Sequence, residues 1–143
     1  MILYKGNNWE VVFVDWCQEF PGQCIISSNT KILSELSSDA WVELGLIEKE
    51  LERITKKLFN ATMFNFAALM NDAYRDNSSP HVHFHFIPRY LGKRTILGKK
   101  YIDKHFGYNM WKWARNRFKS QKDIFTKNEK ETIFNMMEKE WNL

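Results

Sequence analysis

The sequence predicts an α+β fold: a mainly antiparallel sheet with one long helix packed on it and a C-terminal helical extension. Three observations carry this. Apolar residues alternate along His81–Pro88 with the period of a strand. Trp41, Leu44, Ile47, Leu51, Ile54 and Leu58 recur at spacings of three and four, the stripe of a long amphipathic helix. The order of elements, β-β-β-α-β-β, lacks the repeated βαβ alternation of a parallel sheet. At 143 residues and 44% hydrophobic composition, the chain has the size of one domain with room for a decorating subdomain.

Taken in order, Leu3–Lys5 and Trp9–Asp15 flank Gly6-Asn7-Asn8, a hairpin with turn residues that tolerate positive φ. Phe20-Pro21-Gly22 is a turn, after which Gln23–Ser27 resumes as a strand. Ser37-Ser38-Asp39 offers an N-cap for the long helix, which ends near Asn60. Ala61–Met70 reads as a strand with Phe64 and Phe66 on one face, and residues 71–80 as a polar loop. The histidine strand follows, and Pro88 is expected to end it. Thr126-Lys127-Asn128-Glu129 is a capping box, opening a helix that buries Ile133, Met136, Met137 and Trp141.

Charge is unevenly spread. Residues 1–88 carry net −4, residues 89–122 net +10, and residues 123–143 net −2. The basic segment also holds Tyr101, Phe106, Tyr108, Trp111, Trp113 and Phe118, so it can attract a polyanion, or it can be a solvated face whose aromatics pack inward. No apolar run approaches the roughly 20 residues of a membrane span, so no membrane partner is expected. The first residues lack the pattern of a signal peptide, and Cys17 and Cys24 fit no metal or redox spacing; free thiols in a cytoplasmic protein are expected.

Three of the four histidines, His81, His83 and His85, fall on one face of the predicted strand, with Val82, Phe84 and Phe86 on the other. Each imidazole brings a donor and an acceptor that need partners, so three in a row make poor filler. Two chemistries suit them. A His-x-His pair can chelate a metal with help from Asp72, Asp76 or His105. Alternatively, the central imidazole can attack an electrophile such as phosphorus while its neighbours donate to non-bridging oxygens.

The run His81-Val82-His83-Phe84-His85-Phe86-Ile87 resembles the signature of the histidine triad superfamily of nucleotide hydrolases and transferases. Asp15, the Pro21-Gly22 turn and the apolar strand Cys24-Ile25-Ile26 are similar to that family's ribose-binding strand and turn. The likeness covers roughly residues 9–90, expected to be the catalytic domain 1–90, with 91–143 a basic, partly helical extension packed on it. It implies that His83 attacks the α-phosphorus of a nucleotide and forms a nucleotidyl-histidine, which water hydrolyses to a nucleoside monophosphate. His85 would contact the phosphate and His81 would order His83. Asn71 and Ser78 would donate to phosphate or leaving-group oxygens, and Asp15 would accept the ribose hydroxyls. The base would pack on Val14 and Ile26, with Phe13 nearby. A histidine nucleophile needs no metal or other cofactor, and the family is usually a homodimer.

Two departures stand out. Gln23 occupies the position after the turn where the family usually has a histidine, and Ser28-Asn29 replaces its usual Pro-Lys. Pro88-Arg89 is similar to the fragile-histidine-triad and bacterial dinucleoside polyphosphate hydrolase branch, which points to a dinucleoside polyphosphate or similar conjugate as substrate. The competing reading is an aprataxin-like enzyme that removes adenylate from nucleic-acid ends, for which the basic aromatic stretch Lys99–Lys122 would hold the backbone.

Overall fold

The hairpin around Gly6 forms because its turn residues close a tight reversal, with the Gly6 N–H donating to the Trp9 carbonyl at 2.9 Å. It joins β1 (Ile2–Lys5) to β2 (Glu10–Phe13). The computed structural model describes residues 1–69, 72–108 and 122–143. Next come β3 (Cys24–Ser27), a single 3-10 turn (Leu33–Glu35) and α1 (Ser38–Phe59). Then follow β4 (Met63–Ala67), a short α2 (Asp72–Arg75) and β5 (His83–Arg89). A second hairpin, β6 (Lys93–Ile96) and β7 (Lys99–Ile102), precedes α3 (Lys127–Glu140).

The main sheet has the order β1-β2-β3-β5-β4, and each neighbouring pair is antiparallel, as the sequence predicts. Residues directly opposite across an antiparallel pair share a face. The pairs Phe13↔Cys24, Cys24↔Phe86 and Ile26↔Phe84 therefore mark one apolar face. Against it α1 buries Leu44, Ile47, Leu51 and Ile54, each contributing about 1.5–3 kcal/mol. The helix starts where Ser37 accepts a hydrogen bond from the Ala40 N–H. It stops at Asn60, whose φ of 55° is left-handed. Trp41, assigned to the stripe, is half exposed in the first turn with its ring edge on Phe84.

Two boundaries differ from expectation. β4 begins at Met63 because the Ala61 N–H is turned back to the Thr55 carbonyl, closing the helix end after left-handed Asn60. Phe64 and Phe66 do share a partner, both packing on Phe86. β5 does not end before Pro88 but runs through it, with Pro88 opposite Phe64. The β3–β5 ladder stops at Cys24, the first residue of β3, opposite Phe86, so Pro88 has a strand neighbour on one side only, where proline is tolerated.

Residues beyond Arg89 join the same core: Ile96, Tyr101, Phe125, Ile133 and Met137 are buried with the sheet residues. A turn with Leu97 at φ 50° and Gly98 at φ 74° links β6 to β7. The anchor of this region is an ion pair between Arg89 and Asp103, with side chains 1% and 0% exposed. Arg89 donates from Nε to Asp103 Oδ2 at 2.7 Å and from Nη2 to Oδ1 at 2.9 Å. The capping box at Thr126 and Glu129 opens α3 as expected, and Trp141, just past its end, stacks on Tyr4.

Truncating Asp103 to alanine strands a buried guanidinium, and it should lower unfolding free energy by about 3–5 kcal/mol in denaturant titration. Replacing both partners by apolar residues of similar volume should recover most of that loss; failure to do so would mean that the pair is not the cause.

A second prediction concerns acid. The Lys99 ammonium, and then the Thr126 N–H, hold the Glu129 carboxyl down to about 2 from 4.5. A carboxyl depressed in the folded state stabilises above its unfolded value and loses that contribution as pH falls through its folded one. Stability should therefore decline from about pH 4.5 towards about pH 2. Glu129→Gln should flatten that part of the curve, read as melting temperature against pH.

Candidate active site

His83 and His85 lie on β5, and His81 sits two residues before the strand begins. The lead-in is held by the Ser28 N–H to the Val82 carbonyl at 2.9 Å and the Val82 N–H to the Thr30 carbonyl at 2.7 Å. Those bonds fix the pleat, so Val82 is fully buried and the three imidazoles share the opposite face. Ring centroids are 5.2 Å apart in both the His81–His83 and the His83–His85 pair.

One hydrogen bond sets the chemistry. His83 Nδ1 lies 3.2 Å from the His81 carbonyl oxygen. A carbonyl can only accept, so Nδ1 carries a proton, and in the neutral ring the lone pair is on Nε2. The central ring is thereby assigned the tautomer a nucleophile requires.

The strand register corrects one expectation. Ile25 stands opposite His85 and Ser27 opposite His83, so these share the histidine face. Ile26 stands opposite Phe84 and is fully buried in the core, as is Phe13. Neither can pack against a ligand on the histidine face; Ile25 is the residue available there.

The loop from Val14 to Gln23 forms the rest of the wall. It is organised by Gln18, whose side-chain nitrogen donates to the Val14 and Gln23 carbonyls and whose side-chain oxygen accepts from the Gly22 N–H. A hollow of about 270 Å³ opens beside His85, lined also by Val14, Trp16, Gln23, Ile25 and Ile87. Cys17 and Cys24 reach it too, but burial pushes both thiols up, so neither supplies a ready thiolate at neutral pH. Gln23, at the position where a fourth histidine was expected by resemblance, donates to the Cys17 carbonyl at 2.6 Å.

Asp15 does not line that hollow. It faces an adjoining one of about 590 Å³, shared with Met1, Trp16, Lys127, Lys130 and Glu131, and the Met1 ammonium lies 3.9 Å from its Oδ2. Trp16 borders both, so the two hollows adjoin at that residue. Ser78 is exposed on the turn after α2. Its N–H donates to the Ala73 carbonyl at 2.9 Å, next to Asn77 at φ 51°. Asn71 lies outside the described residues, as do Lys112, Arg115, Arg117 and Lys119 of the basic segment.

Trp16, Ile25 and Gln18 are the site features that sequence reasoning missed. Ile25 follows from pairing register once His85 is placed. Trp16 carried a signal in being a large aromatic directly after Asp15 in a turn. Gln18 carried none, because a buried glutamine in a loop looks like any polar loop residue. Among the described residues no group of three His, Cys, Asp or Glu side chains comes together to hold a metal, and no helix is long and apolar enough to cross a membrane.

No protein-family model matches the chain, and no curated protein sequence does. Solved structures do. A hypothetical histidine triad nucleotide-binding protein from Sulfolobus tokodaii is 16% identical with a TM-score of 0.62, over 97% of this chain and 81% of that one. A Hit-like protein involved in cell-cycle regulation from Bartonella henselae is 15% identical with a TM-score of 0.59, over 99% and 86%. A zinc-bound histidine triad family protein from Mycobacterium smegmatis is 13% identical with a TM-score of 0.56, over 95% and 82%. At these identities the likeness establishes the fold, which is that of histidine triad proteins.

Proposed function

We propose that this chain is a nucleotide hydrolase that acts at an α-phosphate through a covalent nucleotidyl-histidine on His83. The observation that carries the reading is the His83 Nδ1 contact with the His81 carbonyl, because it makes Nε2 the nitrogen that carries the lone pair of the neutral ring, on the open face of the sheet. His83 Nε2 donates its lone pair to phosphorus, and a P–N bond forms as the P–O bond to the leaving group breaks. The leaving oxygen departs with the bonding pair and takes up a proton. Water then attacks phosphorus, the P–N bond breaks, and its electron pair returns to Nε2, releasing the nucleoside monophosphate. His85, 5.2 Å from His83 between ring centroids, is suited to donate to a non-bridging oxygen when its facing nitrogen is protonated.

The nucleoside half follows from the neighbouring hollow. Asp15 is 44% exposed there, and a carboxylate can accept both hydroxyls of a ribose. Val14 and Ile25 provide apolar wall beside His85. Ser78 remains a candidate donor to leaving-group oxygens by virtue of its exposed hydroxyl, and Asn71 is kept as a second on its offset from the triad. The substrate class we favour is a dinucleoside polyphosphate or similar nucleotide conjugate.

His83→Ala should abolish turnover of such a conjugate while leaving nucleotide affinity within about tenfold, roughly 1.4 kcal/mol, since the ring acts mainly in the transition state. Mass spectrometry of acid-free quenched enzyme should place the adduct on residue 83. Turnover above a few per cent of wild type, or an adduct on His81 or His85, would remove the nucleophile assignment.

Asp15→Ala should weaken binding of a ribonucleotide much more than that of its dideoxy analogue, because a site built around hydroxyls leaves a polar group unpaired when they are missing. Equal losses for the two sugars, measured by calorimetry, would make Asp15 structural.

A further inference from the structure

The hollow on the Asp15 side of Trp16 holds more chemistry than a ribose contact uses. At about 590 Å³ it lies within the roughly 300–1,000 Å³ of small-molecule sites. Trp16 is 65% exposed, whereas Trp9 is 1% exposed, so one indole serves the core and the other is held open beside the hollow. Across from it, α3 presents Lys127 and Glu131, one helical turn apart and hence on one face. Among the described residues neither has a hydrogen-bond or ion-pair partner. Lys130 differs, since it is bound to Asp123 at 3.1 Å.

The balance of charge decides what such a hollow can take. The Met1 ammonium pairs with Asp15 at 3.9 Å and Lys130 with Asp123, which leaves Lys127 and Glu131 as one charge of each sign, so the lining does not favour a phosphate. A flat, neutral heteroaromatic with donors and acceptors on its edge fits all the parts. The indole offers a stacking surface, Glu131 accepts from edge N–H groups, and Lys127 donates to a ring nitrogen or carbonyl oxygen.

We propose that Trp16 and the Lys127–Glu131 face of α3 form a base-reading pocket selective for guanine, which deepens the nucleotide reading above and rests on it. Guanine presents two N–H donor groups side by side to a carboxylate, and O6 and N7 as acceptors to an ammonium; adenine presents a single donor group. Trp16, Lys127 and Glu131 are then specificity-determining residues, and the C-terminal helix is part of the substrate site.

The test is calorimetric binding of GMP, AMP and ribose 5-phosphate to the full chain and to Trp16→Ala and Glu131→Gln, with melting curves to show that the variants are folded. Wild type should bind GMP more tightly than AMP. Trp16→Ala should weaken GMP by about fivefold or more while ribose 5-phosphate stays within about twofold. Glu131→Gln should erase the preference for GMP over AMP. Equal GMP and AMP affinities in wild type would overturn the proposal. So would a preference unchanged in Glu131→Gln, or parallel loss of GMP and ribose 5-phosphate in Trp16→Ala. The two readings fail separately. GMP selectivity without any adduct on His83 removes the catalytic reading and leaves the pocket. An adduct on His83 with no base discrimination removes the pocket and leaves the catalysis.

Discussion

The buried pair of Arg89 and Asp103 is the constraint on which the site depends. Desolvating two charges is unfavourable, and the structure offsets it by leaving few lone pairs or N–H groups unused. Beyond its two bonds to Asp103, the guanidinium donates to Asn65 on β4 and to the His105 carbonyl, and it lies over the Phe20 ring. Asp103 also accepts from the Tyr90 and His105 N–H groups. One salt bridge thus ties the last residue of the histidine strand to β4, to the chain after β7 and to the loop that walls the site. Tyr90 and Tyr101 add hydroxyl bonds to the Pro21 and Glu19 carbonyls of that same loop. The Val14–Gln23 loop is therefore held from beneath by residues far along the chain, and Asp123 adds a further hold by accepting from the Gln18 N–H.

That anchoring matters because the chemistry proposed for His83 depends on fixed geometry. The tautomer is set by a backbone carbonyl, so it persists only while the lead-in from His81 keeps its bonds to Ser28 and Thr30. The two thiols nearby do not compete as nucleophiles, because burial keeps them protonated. The division of labour follows from the pleat: one face of β5 and its lead-in packs Val82 and Phe86 into the core, and the other presents imidazoles.

Much of this was legible in the sequence where a period or a cap carries the information. Alternation placed the histidines on one face, the three-four spacing placed α1, and an N-cap serine and a capping box placed the starts of α1 and α3. What failed was whatever depends on partners distant in sequence. Ile25 and Ile26 are equally apolar, and only the register with His85 and Phe84 decides which one faces the site. Pro88 looked like a stop, yet the β3–β5 ladder stops before reaching it, so no ladder on that side needs its missing N–H. Arg89 shows in the sequence only as the residue after Pro88, and nothing there tells that its side chain is committed to the buried pair with Asp103.

The same distinction reinterprets the basic segment. Sequence counts charges, whereas binding depends on charges left unpaired. Arg89 is neutralised by Asp103, Arg94 is spent on the Asn60 carbonyl and the Thr62 hydroxyl, and Lys99 on Glu129. Three of the cations that make residues 89–122 strongly basic therefore hold the hairpin, the end of α1 and the start of α3 in place. Asp103 is already in the net count of this stretch and Arg94, bonded to neutral acceptors, keeps its charge, so only the pairing of Lys99 with Glu129, outside the stretch, lowers the field it offers a polyanion. A role for the C-terminal region is better sought where it meets the site, at the few side chains of α3 that face Trp16 without partners of their own.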